Sequence, residues 1–130
     1  MVDAPLEWLS AHPKVASNFE EALKIVLAKD EGKYRNAMDN LRWALEQLLK
    51  SVLGDRKPIE KQSDVLLPWL KGKGFHQQVV NMYLDLLKRF TQYQNDAVKH
   101  GDEWKEAELE FVIYLTGAFM RLILQAEAKT

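Results

Sequence analysis

The sequence predicts an all-α protein, a compact antiparallel bundle of four long helices plus one or two short ones. Three observations carry this expectation. Apolar residues recur at helical steps of three and four through four long stretches. No segment sustains the alternation of a half-buried strand. Prolines and glycines fall mainly where those stretches begin and end.

The first stretch runs from about Pro13 to Ala28, with Val15, Phe19, Ala22 and Val26 on one face. Pro13 suits a first-turn position, where the missing N–H would have had no partner anyway. A short turn around Pro5–Ser10 is expected to bring Leu6 and Trp8 against the bundle. The second stretch, about Glu31–Leu53, has the cleanest seam: Tyr34, Met38, Leu41, Leu45, Leu48 and Val52, closed by Gly54. Between Gly54 and Gly74, Pro58 is placed to open a short crossover helix and Pro68 to kink or end it. The third long stretch, about Phe75–Lys99, carries Val79, Tyr83, Leu86, Phe90, Tyr93 and Ala97, and Gly101 ends it.

The last stretch, about Glu103–Glu127, is expected to bury Phe111, Leu115, Ala118 and Leu122 on one side. Its centre, FVIYLTGAFMRLIL, is apolar except at Thr116, Gly117 and Arg121. A helix that is apolar all round must be covered all round. That requirement points to a homodimer through Phe111, Leu115, Gly117, Ala118 and Leu122, with Gly117 allowing close backbone approach. The aromatics Trp43, Trp69, Tyr83, Phe90, Trp104 and Tyr114 read as core or dimer contacts.

Composition sets the outer limits. The 130 residues, 47% hydrophobic and 28% charged, form a single globular domain over 1–130, with no repeat or linker to divide it. The absence of cysteine excludes disulfides and thiolate metal sites and agrees with a reducing cytoplasm. A net charge of −1 gives no broad field to attract nucleic acid, so any RNA contact needs a local patch or a dimer interface. The apolar centre of the last helix is shorter than the roughly 20 residues of a membrane span. The N-terminus lacks the basic start and apolar run of a signal peptide. His12, His76 and His100 do not have metal-ligand spacing, and no phosphate loop or HExxH occurs, so neither cofactor nor metal is expected.

Two segments point further. YRNAMDNLRWALEQLLKSVLG carries Arg42, Glu46 and Lys50 at successive turns of one helix. LLKRFTQYQNDAVKHG ends the third long helix just ahead of the apolar one. Together, over residues 30–126, they resemble the HEPN superfamily, helical bundles of abortive-infection, phage-defence and toxin–antitoxin systems. The resemblance implies a motif of Arg, then a polar residue, then His, which in active members cuts RNA without metal where two protomers meet. On this chain the histidine is His100 and the polar residue is Asn95, while Gln94 stands where the family has arginine.

Histidine suits acid–base work near neutral pH. Asp96, one turn before His100, could hold the ring. Gln94 has no charge and no guanidinium fork for a phosphorane. The supporting residues are Lys99 and Arg89, as alternative cations, and Glu46, as the polar residue facing the histidine segment. The expectation is therefore a defence-type protein acting by protein association over a degenerate polar site. The alternative is a metal-independent endoribonuclease with a composite site at a homodimer interface.

Overall fold

The computed structural model describes residues 11–100 and 105–128, the side chains of 97–100 excepted. The expected turn at Pro5–Ser10, Gly101 and Trp104 lie outside the described residues. Among the described residues five α-helices follow one another: α1 Pro13–Leu27, α2 Tyr34–Leu53, α3 Ser63–Gly72, α4 Gln77–His100 and α5 Glu106–Ala128. Two single 3-10 turns, Glu31–Lys33 and Ile59–Lys61, lead into α2 and α3. Among the described residues there is no strand.

The first two helices bury the seams their spacing predicts, except that Val52 at the end of the second is half-buried. Val15, Phe19, Ala22, Ile25 and Val26 face inward from α1; Tyr34, Met38, Leu41, Leu45 and Leu48 do so from α2. Pro13 opens α1 as expected. The short link between α1 and α2 turns through Lys29, whose φ of 53° is left-handed without glycine's freedom. At the other end of α2, Gly54 takes φ 71° and donates to the Lys50 carbonyl at 2.9 Å. A left-handed residue there caps the last carbonyls and turns the chain out of the helix.

The connector after Gly54 is tied by one buried amide. Gln62 Nε2 donates to Asp55 Oδ1 at 2.9 Å and to the Lys57 carbonyl at 2.8 Å, closing the loop that Pro58 stiffens. Of the two outcomes expected at Pro68, a kink or an end, the helix does not end there: α3 continues through Pro68 to Gly72. Pro68 and Asp64, the residue whose carbonyl loses its partner, are both exposed, so water can replace the missing N–H.

α1 and α2 share the most extensive contact, and α5 packs on both. α4 packs on α3 and touches α2 and α5 more sparingly. Tyr83 fastens α4 to α5: its hydroxyl donates to the Phe119 carbonyl at 3.1 Å, and its ring meets Phe119 edge-on at 5.0 Å. Phe90 meets the same ring at 5.6 Å. Such edge contacts add about 1 kcal/mol each beyond the area they bury.

Two faces are rotated from the expectation. On α4 the buried stripe is Val80, Tyr83, Leu87, Phe90, Thr91 and Gln94, while Val79 and Leu86 are exposed. On α5 the inward residues are Leu109, Val112, Ile113, Thr116, Gly117, Phe119, Met120, Ile123 and Leu124. Phe111 is 64% exposed, Ala118 is exposed, and Leu115 and Leu122 are half-buried. Gly117 thus belongs to the bundle's own interior, not to the outer strip. No helix among the described residues is long and apolar enough to cross a membrane.

Candidate functional site

The polar end of α4 meets α2 and the connector at one arginine. Arg42 sits mid-way along α2, one turn past Met38, and reaches across to α4. Its Nη1 donates to Asn95 Oδ1 at 2.5 Å, and its Nη2 is ion-paired with Glu60 of the Ile59–Lys61 turn. The Arg42 side chain is partly sheltered, at 26% exposure. Three elements therefore converge on Arg42, and the carboxylate of Glu60 balances its charge.

Gln94 points the other way. It is 2% exposed, its Nε2 lies 3.5 Å from the Met38 carbonyl, and its Oε1 has no hydrogen-bond partner. Position 94 is thus a buried amide wedged between α4 and α2. Asn95 and Asp96, the next two residues, are exposed. The backbone of α4 runs on to His100, but the side chains of Lys99 and His100 lie outside the described residues.

The supporting residues are distributed differently from the expectation. The Arg42–Glu46–Lys50 ladder is broken in two. Lys50 pairs with Glu46 at 3.0 Å, whereas Arg42 turns to Glu60 and Asn95. Arg89 pairs with Asp85 at 3.5 Å on the exposed side of α4. Of the candidates along α4, then, Asn95 is held by the cation of another helix, Arg42, which the sequence places at successive turns with Glu46 and Lys50. The burial of Gln94 had a legible signal: Val80, Tyr83, Leu87, Phe90 and Gln94 step 3, 4, 3, 4 along one stripe.

Chemically the cluster supplies a fixed donor array. Arginine stays protonated at any working pH, so Arg42 can bind an anion but cannot shuttle a proton. An incoming phosphate would have to displace Glu60 first.

A second feature lies between α4 and α5. A groove of about 530 Å³ is lined by Leu86, Arg89, Phe90, Tyr93, Phe111 and Leu115, among others. Tyr93 bridges the two helices there, its hydroxyl donating to Glu108 Oε2 at 3.2 Å. Burial first, then the Glu108 charge and this bond, push the Tyr93 phenol up to about 12. A smaller groove of about 260 Å³ runs on the other side of α5, against Leu23, Leu27 and Tyr114. The outer ridge of α5 thus stands between two open grooves.

No family model, curated protein or solved structure matches this chain. The functional reading rests on its own residues and geometry.

Proposed function

We propose that the chain is a HEPN-like helical protein of prophage or defence type that acts by associating with protein, in the first place with a second copy. The observation that carries this reading is the exposed apolar ridge of α5, with Phe111 64% and Tyr114 46% exposed between the two grooves. Apolar surface of this kind, contiguous and rimmed by charge, marks interaction sites more often than it is left to water. The state of the motif agrees with association over cleavage. Gln94 is buried, and Arg42 is already neutralised by Glu60.

A metal-independent endoribonuclease is the second reading, and one observation favours it: the bond from Arg42 to Asn95 brings a guanidinium to the motif from another helix. Purified protein and a His100→Ala variant, incubated with structured and unstructured RNA in excess chelator, separate the two. Association predicts intact RNA and a dimer by light scattering. Chelator-resistant cleavage that disappears in the variant overturns it.

A further inference from the structure

The strip that α5 turns outward has a pattern of its own. Ala107, Phe111, Leu115, Ala118 and Leu122 are exposed or half-buried and step 4, 4, 3, 4 along the helix. Successive positions of that kind stay on one face, here about 22 Å long at 1.5 Å per residue. Within it Phe111 is large, Ala107 and Ala118 are small, and Leu115 lies near the middle. One flank of the strip carries Glu110, Tyr114 and Arg121, all exposed.

We propose that α5 pairs antiparallel with α5 of a second copy, about a two-fold axis beside Leu115. This names the partner and geometry of the association reading above and rests on it. The register follows from size and charge. With the axis beside Leu115, Phe111 comes within one residue of level with the partner's Ala118, a large side chain over a small one. Ala107 comes equally close to level with the partner's Leu122. Leu115 meets the partner's Leu115 beside the axis.

The charges select the direction. In an antiparallel pair the same flank of each helix faces its counterpart. Glu110 then lies opposite the partner's Arg121, and two-fold symmetry repeats the pair. A parallel pairing in register would put the two charged flanks on opposite sides of the contact, where Glu110 and Arg121 form no such pair, and would set Phe111 against Phe111. The small residues allow the helices to approach to the usual 8–10 Å of closely packed pairs. Leu86 on α4, also exposed, lines the same groove as Phe111 and Leu115 and extends the apolar contact toward the roughly 800 Å² per partner that a stable dimer buries.

The chain has no cysteine, so single cysteines report contacts directly. Leu115→Cys should give a covalent dimer under mild oxidation, or with a short thiol cross-linker, far faster than Ser51→Cys on the exposed side of α2. A mixture of Phe111→Cys and Ala118→Cys chains should cross-link faster than either alone. Arg121→Glu should weaken dimerisation about tenfold, as two lost ion pairs imply, and Glu110→Arg in the same chain should restore it. Helix content by circular dichroism verifies that each variant is folded. A dimer by light scattering whose Leu115→Cys form cross-links no faster than the control overturns this register and leaves the association reading standing. A strictly monomeric wild-type chain at high concentration overturns both.

Discussion

Arg42 of α2 holds Asn95 of α4 and Glu60 of the connector at once, and so ties three elements that the chain order keeps apart. The pair is partly sheltered, which makes it worth more than an open surface ion pair. Arg42→Ala should lower stability by about 1–2 kcal/mol, since it leaves an amide oxygen and a carboxylate without their charged donor. Asn95→Ala and Glu60→Gln should each cost less, about 0.5–1 kcal/mol. Urea unfolding of the single and double variants checks this: Arg42 and Asn95 must show coupling, and additive losses would mean the bond contributes nothing.

Gln94 makes the opposite prediction from a catalytic residue. Its carbonyl oxygen is buried without a donor, a cost that a hydrocarbon of similar size would remove. Gln94→Leu should therefore be neutral or stabilising by up to about 1 kcal/mol. Gln94→Arg places a guanidinium where the bundle is closed. It should destabilise by at least about 2 kcal/mol and confer no RNA cleavage. A folded, active Gln94→Arg protein would show that the position opens to solvent.

Legibility from the sequence followed the number of apolar stripes on each helix. α1 and α2 have one stripe each, so Phe19 and Leu45 could be placed inside without knowing any neighbour. α5 has apolar residues on every side, and periodicity alone cannot say which are inward. Its neighbours α1 and α2 decide that, and they turn Leu109 and Met120 in and Phe111 out. The candidate site was legible only along α4. The step from Phe90 to Gln94 was there to read, but the contact from Arg42 joins residues 53 apart. No local spacing encodes a contact of that range. Pro68 shows the reverse limit: a strong local breaker tolerated because its turn of α3 faces water.

Two left-handed residues offer a matched test of backbone conformation. Gly54 has φ 71° with nothing within 4 Å of where a Cβ would stand, so Gly54→Ala adds no clash and costs only the backbone term. The loss should be about 1 kcal/mol. Lys29 has φ 53° with the penalty already present. Lys29→Gly should stabilise by up to about 1 kcal/mol, little reduced by losing its exposed pair with Glu106 at 4.0 Å. Thermal unfolding of both variants should move the midpoint in opposite directions.

The tyrosines set the alkaline limit of the fold. Burial raises the Tyr83 phenol strongly, and burial with Glu108 beside it raises Tyr93 to about 12. An unfolded tyrosine ionises near pH 10. The folded chain thus keeps protons on these phenols that the unfolded chain has released. By linkage, their contribution is fully present below about pH 10 and is lost as pH rises toward 12 and beyond. Stability should be level with respect to these groups at neutral pH and fall steadily from about pH 10 upward. Tyr93→Phe should make that fall shallower while removing the bond to Glu108, and tyrosinate absorbance should show one fewer late-ionising phenol. An unchanged slope in the variant would mean that Tyr93 titrates like a free tyrosine and that the α4–α5 groove is open to solvent down to its phenol.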